Sequence, residues 1–179
     1  GRLNRRKGVD LLLDAYARTP ASERLPLIIA GDGDERTSLV AQSAALGLGE
    51  WVTFVGKVGG AKKTYLLQHA RAVTSPSRGW EAFPLVVLEA YAAGTPVVAS
   101  RAPGLRDLIE PEQTGLLFDE ESVEGLAAAL TTVFRDERRT RDWGEVARFR
   151  AQQYDWRVVA GRYLALFEQL VASRYRRAA

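Results

Sequence analysis

The stretch Trp80–Ser100, WEAFPLVVLEAYAAGTPVVAS, decides the fold class of this chain. Pro84 suits the first turn of a helix, because that turn has no use for the N–H group that proline lacks. Gly94 suits the end of the same helix, and the apolar run TPVVAS reads as a strand. The stretch therefore predicts a helix over 84–94 that leads directly into a strand over 95–100.

Short apolar runs alternate with longer amphipathic ones along the whole chain. The predicted strands are 26–31, 51–56, 72–77, 95–100 and 114–118. The predicted helices are 8–18, 35–47, 62–69, 84–94, 104–109, 122–136, 140–151 and 156–174. Most strands are apolar throughout, as expected of a parallel sheet covered on both faces. This order predicts an α/β fold with a Rossmann-like, doubly wound parallel sheet, formed by one domain over 1–179.

The first residues, GRL at 1–3, resemble the exit of a strand whose body is missing. The first strand of a doubly wound sheet is usually central. We therefore expect a gap in the sheet, unless another segment supplies this strand. Our hypothesis is that the first strand is truncated and that the intact protein continues upstream of Gly1.

Composition excludes several classes of function. The chain has no cysteine and one histidine, His69, so disulfides, thiolate chemistry and a histidine-rich zinc site are ruled out. No apolar run approaches the roughly 20 residues that span a bilayer, and no signal peptide is visible. The net charge of +3 suits an anionic ligand without requiring one, and the basic residues are too scattered for a nucleic-acid site. We expect a cytoplasmic protein, peripheral to a membrane at most.

Glu89 is the only charged residue between Ala82 and Ser100. An ionised carboxylate is costly to bury without partners. We interpret Glu89 as a buried carboxylate that binds the hydroxyls of a ligand; the alternative is that it reaches the surface along one stripe of the helix. A ribose diol offers two adjacent donors to one carboxylate. Glu81 falls in the loop before the helix, whose first turn near Phe83 offers free N–H groups to an anion.

The opening stretch GRLNRRKG adds positive charge at the carboxyl end of the presumed first strand, where open α/β sheets bind ligands. Arg2 and Lys7 flank this turn and could reach a diphosphate. For Arg5 and Arg6 we prefer a solvated basic loop.

The string GDGDE at 31–35 imitates both a metal-binding pair and a dinucleotide fingerprint. Arg36 stands where that fingerprint needs its third glycine. A turn before a helix explains the string without a metal. We assign His69 no catalytic role.

Taken together, these motifs resemble the C-terminal, nucleotide-binding half of a GT-B fold glycosyltransferase of the retaining family 4. The matching strings, in the family's order and spacing, are GRLNRRKGVDLLLDAY, LIIAGDGDE, LGLGEWVTFVGKV, SPSRGWEAFPLVVLEAYAAGTPVVAS and GLRDLIEPEQTGLLF. The most specific element is Glu81, followed by Glu89 and the block Ala-Ala-Gly-x-Pro-Val-Val.

The resemblance implies a role for each matching position. Arg2 and Lys7 would bind the donor diphosphate, Glu89 the ribose hydroxyls, and Glu81 the donor sugar. The backbone around Ala82, Phe83, Pro84 and Leu85 would meet sugar and phosphate, and Gly56 and Val58 would lie at the base. Alanine and proline at 82 and 84 replace glycines that are common in the family.

The implied activity is transfer of a hexosyl group from a nucleoside diphosphate sugar to an acceptor hydroxyl, with no cofactor and no metal. The acceptor would bind a missing N-terminal domain, against which the helix in 152–179 would pack; contact of its basic end with a membrane is the alternative. This fragment alone would then be inactive. The competing interpretation is a non-catalytic nucleotide-sugar-binding module, and a phosphorylase is disfavoured because no lysine has a pyridoxal phosphate context.

Overall fold

The computed structural model describes the backbone of residues 1–177 and the side chains of residues 1–172. The strands are β1 (Leu27–Ala30), β2 (Val52–Gly56), β3 (Val73–Ser75), β4 (Val97–Ser100) and β5 (Gly115–Phe118). The helices are α1 (Val9–Ala17), α2 (Arg36–Ala45), α3 (Gly60–His69), α4 (Leu85–Ala93), α5 (Val123–Arg135), α6 (Glu137–Ala151) and α7 (Trp156–Arg177). Short 3-10 helices cover Arg5–Lys7, Ala21–Glu23 and Gln152–Tyr154. Helices and strands alternate from α1 to β4, so the predicted α/β class is confirmed.

The strands form two parallel sheets with a gap between them, where the sequence predicts one doubly wound sheet with a gap. β1 pairs with β2, and the other sheet has the order β3-β4-β5. Within the described part of the chain, β1 and β3 each keep one edge without a neighbouring strand. Both strands line one open cavity of about 1770 Å³, which α1 and α5 also border. Continuation of the chain upstream of Gly1 stays a prediction.

The first three residues run beside the end of β1. Arg2 forms a parallel bridge with Asp32, and the N–H of Leu3 donates to the carbonyl of Asp32 at 2.9 Å. The chain then turns through the 3-10 helix at Arg5–Lys7 into α1. This path carries Arg2 and Lys7 to the edge of the sheet where the parallel strands end.

Two apolar clusters hold the helices on the sheets. One joins α1 and α5 to the strands, with Leu13 and Leu126 fully buried. The other packs α4 against β4 and α6, and contains Val87 and Tyr91. The Tyr91 hydroxyl donates to Thr114 Oγ1 at 2.6 Å, and burial raises the pKa of Tyr91 to about 12. α4, which carries Glu89, is therefore fixed along its inner face.

The predicted boundaries of α4 are nearly correct. Pro84 lies at the N-cap, one residue before the first helical residue, Leu85. Gly94 ends the helix with φ 79°, in the left-handed region that favours glycine. The prediction of a helix over 84–94 is confirmed to within one residue at each end.

The predicted helix over 104–109 is wrong: this segment forms consecutive turns. Gly104 has φ 87°, and a Cβ atom there would lie 1.8 Å from the carbonyl oxygen of Glu81. The N–H of Glu81 donates to the carbonyl of Pro103 at 3.0 Å, and the Asp107 carboxylate accepts from the N–H of Gly104 at 3.1 Å. Close packing beneath the Glu81 loop thus imposes a backbone that a helix could not provide.

α7 carries large apolar side chains at the surface. Trp156 is 83% exposed, and Tyr163, Leu164 and Phe167 are each more than half exposed. The basic end of this helix, where the sequence offers a membrane contact as the alternative, consists of Arg174, Arg176 and Arg177, whose side chains lie outside those that the structure describes. None of the helices in the described part of the chain combines the length and the apolar character needed to cross a bilayer.

Candidate functional site

Most of the predicted site residues lie on one cavity, at the edge where the strands end. Its lining includes Arg2, Lys7, Val58, Glu81, Phe83, Pro84, Leu85 and Glu89. Gly56 and Ala82 are not part of that lining. Gly56 ends β2, and its carbonyl accepts from the N–H of Gly31 at 2.8 Å. The structure thus brings together residues that are up to 87 positions apart in the sequence.

Lys7 and Glu81 form an ion pair, with Nζ 2.6 Å from Oε1. The Lys7 side chain is 37% exposed and that of Glu81 is 15% exposed. Gly8 follows Lys7 with φ 63°, and a Cβ atom there would lie 1.9 Å from the Pro76 carbonyl oxygen. Only glycine therefore lets the Lys7 turn approach the chain that leads to Glu81.

The environment of Glu81 keeps its carboxylate ionised. Burial alone would raise its pKa, but the hydrogen bond and charge of the Lys7 ammonium, together with the charge of Arg6, outweigh burial and lower the pKa below its ordinary value of 4.5. At neutral pH the cavity therefore presents a fixed negative charge next to a fixed positive charge.

This lowered pKa predicts how stability depends on pH. The unfolded chain binds a proton at Glu81 more readily than the folded chain, so the free energy of unfolding falls as pH falls below 4.5 through the folded-state pKa. In Glu81→Gln, the free energy of unfolding should fall less over this pH range than in wild type, by about 1 kcal/mol or less, since water screens the partly exposed ion pair. Urea unfolding between about pH 6 and pH 3 measures the difference. Glu50→Gln, an exposed position outside the cavity, is the matched control, and a Glu81→Gln curve parallel to wild type contradicts the prediction.

Glu89 is not buried, contrary to the sequence-based interpretation. Its side chain is 40% exposed, and its Oε1 lies 2.7 Å from Nζ of Lys63, which is equally exposed. Lys63 lies in the first turn of α3, and both side chains line the cavity. The carboxylate needs no burial because the open edge of the sheet leaves it in contact with water and with a cation.

Sequence reasoning missed Lys63 and one contact of Arg6. Lys63 lies in the first turn of the helix after β2, at the same edge of the sheet, and that placement was the available signal. Arg6 is exposed, as expected of a solvated residue, and its guanidinium also donates to the carbonyl of Trp80 at 2.7 Å. It thereby ties the Lys7 turn to the loop that carries Glu81.

Arg2 reaches the cavity from its outer rim. Its guanidinium is 70% exposed and lies 3.7 Å from the Asp34 carboxylate, a loose contact across the GDGDE turn. The start of α4 lies across the same cavity, and among the described residues the backbone N–H groups of Leu85 and Val86 have no acceptor. Free N–H groups and the positive end of the helix dipole favour an anion here.

The acidic residues of the GDGDE turn and the ring of His69, neither of which was assigned a catalytic or metal-binding role, have partners close by in the chain. Asp32 accepts a hydrogen bond from the N–H of Gly33 at 2.9 Å, and Asp34 faces Arg2. The His69 ring stacks on Tyr65 with ring centroids 4.0 Å apart. Over the described residues, no group of three potential ligands is arranged to hold a metal ion.

Comparison with known proteins defines the class. The fold is that of the GT-B glycosyltransferases, and solved structures of this class superimpose on nearly the whole chain. The crystal structure of Anabaena HepE in complex with UDP has a TM-score of 0.83 at 30% identity, covering 96% of this chain and 47% of that one. The sucrose-phosphate synthase of Thermosynechococcus elongatus has a TM-score of 0.83 at 34% identity, covering 97% and 44%.

The chain belongs to the family described as glycosyl transferases group 1, whose pattern matches residues 1–150. The phosphatidyl-myo-inositol mannosyltransferase of Mycobacterium leprae is 33% identical over 169 residues, which cover 94% of this chain and 44% of that enzyme. The glycogen synthase of Mycobacterium tuberculosis is 37% identical over 165 residues, covering 89% and 39%. The chain therefore spans less than half the length of these relatives.

Proposed function

We propose that this chain is the donor-binding half of a retaining glycosyltransferase of family 4, which transfers a hexosyl group from a nucleoside diphosphate sugar. The observation that carries the proposal is that Lys7, Glu81, Glu89 and the start of α4 line one cavity. A cation, two carboxylates and free backbone N–H groups match a ligand that combines a diphosphate with two sugars. Structural neighbours solved with UDP or with UDP-glucose support this ligand class.

Each part of the donor has a proposed partner. Glu89 binds the ribose diol, and Lys7 and Arg2 bind the diphosphate with the start of α4. The loop at Gly56 and Val58 meets the base through its backbone. Glu81 faces the hydroxyls of the transferred sugar. Because backbone contacts recognise the base, the proposal leaves the base open.

Catalysis would depend chiefly on electrostatic stabilisation of the leaving diphosphate. Negative charge builds up on its oxygens as the glycosidic bond breaks, and fixed donors aimed at that charge lower the barrier. Lys7, Arg2 and the N–H groups of α4 would supply them, so the proposal includes no divalent metal. Glu81 would orient the sugar and steady the positive charge that develops on its ring. A glycosyl adduct trapped on Glu81 would instead assign it as a nucleophile.

The acceptor would bind another domain. We propose that the segment 152–179 packs toward an N-terminal acceptor domain, and that this chain alone binds donor but transfers little sugar. The exposed apolar side chains of α7 support a helix that needs a partner surface. Peripheral contact of the basic end with an anionic membrane is the alternative, and sedimentation with anionic liposomes would test it.

Calorimetric binding of UDP, GDP and ADP, with and without EDTA, tests this function. We expect one nucleotide to bind more tightly than the others, with an affinity that EDTA leaves unchanged. Folding of the same sample is checked by circular dichroism. If a folded sample binds none of the three, the chain does not form a donor site by itself, and the proposal fails in this form. Loss of binding in EDTA would contradict the metal-free site.

A further inference from the structure

Arg78 makes the densest set of polar contacts around the candidate site, although the sequence analysis gave it no role. It follows β3 in the loop that leads to Glu81, and its side chain is only 18% exposed. Its two terminal nitrogens donate to the two oxygens of Asp10, Nη1 to Oδ1 at 2.6 Å and Nη2 to Oδ2 at 2.8 Å. Its Nε lies 3.4 Å from Glu121.

The same arginine also holds the turn that carries Lys7. Nη1 donates a further hydrogen bond to the carbonyl of Arg5 at 2.8 Å, and the backbone N–H of Arg78 donates to the carbonyl of Arg6 at 2.7 Å. Asp10 lies in the first turn of α1, directly after that turn. One side chain thus joins the turn, the start of α1 and the loop of Glu81.

The forked contact is charge-assisted on both sides. Burial alone would raise the pKa of Asp10, but the hydrogen bonds and the charge of Arg78 outweigh burial and lower it. A planar guanidinium can bind a carboxylate through two parallel hydrogen bonds and still reach a carbonyl, whereas a lysine ammonium acts as a point charge. The geometry therefore requires arginine rather than a positive charge alone.

We propose that Arg78 is a positioning residue of the donor site, which holds the Lys7 ammonium and the Glu81 carboxylate at the distance that a donor diphosphate and its sugar require. This inference rests on the proposed function. Without the Arg78 side chain, the Lys7 turn loses the hydrogen bond from the guanidinium to the Arg5 carbonyl and the link to Asp10. The backbone hydrogen bond from residue 78 to the Arg6 carbonyl and the Arg6 contact with the Trp80 carbonyl remain, so the turn is held more loosely. Lys7 would then leave Glu81 for part of the time.

The variants separate geometry from charge. Arg78→Lys keeps the charge and loses the fork, Arg78→Met loses both, and Asp10→Asn weakens the anchor while it leaves Arg78 in place. Arg135→Met is the matched control, because Arg135 forms a similar forked pair with Glu23, at 2.7 and 2.9 Å, on residues that do not line the cavity.

The first measurement is the pKa of the Glu81 carboxyl by carbon-detected NMR titration. Lys7 and Arg6 lower this pKa, and Arg78→Lys keeps the charge at position 78, so a change in that variant reports the distance between Lys7 and Glu81. We expect the pKa to rise in Arg78→Lys, Arg78→Met and Asp10→Asn and to stay unchanged in Arg135→Met. An unchanged pKa in Arg78→Lys would overturn the inference, because the fork would then not matter.

The second measurement compares UDP with uridine, and in parallel GDP and ADP with their nucleosides. We expect the Arg78 variants to weaken diphosphate binding about fivefold and nucleoside binding less than about twofold. Equal losses for both ligands would indicate a merely structural role and would overturn the inference. If the wild-type chain binds none of the nucleotides, the proposed function fails, and the Glu81 titration alone decides whether Arg78 holds the pair.

Discussion

Glu89→Ala should weaken nucleoside diphosphate binding about a hundredfold or more, the largest effect that we expect from any single substitution. In the proposed complex the carboxylate accepts hydrogen bonds from both ribose hydroxyls, and each charge-assisted hydrogen bond contributes about 1.5–3 kcal/mol. In this structure the same carboxylate pairs with Lys63. That exposed pair contributes little to folding, so the variant should stay folded. Isothermal calorimetry measures the loss.

A deoxynucleotide makes this test specific. The 2′-deoxy form of the preferred nucleotide lacks one of the two hydroxyls, so it should bind the wild-type chain more weakly. Against Glu89→Ala, the deoxy and ribose forms should bind equally, because the group that tells them apart is gone. Glu89→Gln keeps the shape of the side chain and removes its charge. We expect its affinity for the nucleotide to lie between those of wild type and Glu89→Ala. A Glu89→Ala chain that still prefers the ribose form would refute the assignment of Glu89.

Lys7→Ala should weaken binding of the nucleoside diphosphate about tenfold to a hundredfold, from the loss of one charge-assisted contact to the diphosphate. Binding of the corresponding nucleoside should change far less, because that ligand has no phosphate. Competition with inorganic pyrophosphate reports the same loss without the base. Arg2→Ala should show the same pattern, with a smaller effect because the Arg2 side chain is 70% exposed.

Lys62→Ala is the matched control for Lys7→Ala. Lys62 is an exposed lysine in the same helix as Lys63, and it does not line the cavity. An equal loss of affinity in both variants would mean that only net charge matters. Wild-type affinity in Lys7→Ala would remove Lys7 from the proposed diphosphate site.

The sequence was most informative where local chemistry fixes the backbone. Pro84 and Gly94 mark the ends of α4 to within one residue, because proline and glycine act through their own torsion angles. The placement of Glu81 in the loop before α4 followed directly. The alternation of apolar runs gave the α/β class, although the strands of the structure are shorter than the apolar runs that mark them.

The sequence was least informative where distant segments set the conformation. Nothing within 104–109 indicates that Gly104 must admit the carbonyl of Glu81, so the amphipathic pattern of this segment predicts a helix that does not form. Likewise, the partner of Glu89 lies 26 positions away on α3. Pairing across the edge of a sheet depends on which helices meet there, and one sequence does not state that. The burial of Glu89 was overestimated for the same reason.

The gap between the two sheets also bears on how samples of this chain are handled. The open edges of β1 and β3 present backbone N–H and C=O groups in strand geometry, and Ile28 on β1 is 47% exposed. Exposed strand edges of this kind can form hydrogen bonds with strands of other molecules, and exposed strands of high β-propensity promote aggregation. A second copy paired at either edge would cover the cavity that the ligand must enter. Sedimentation velocity at each working concentration should accompany every affinity measured on this chain.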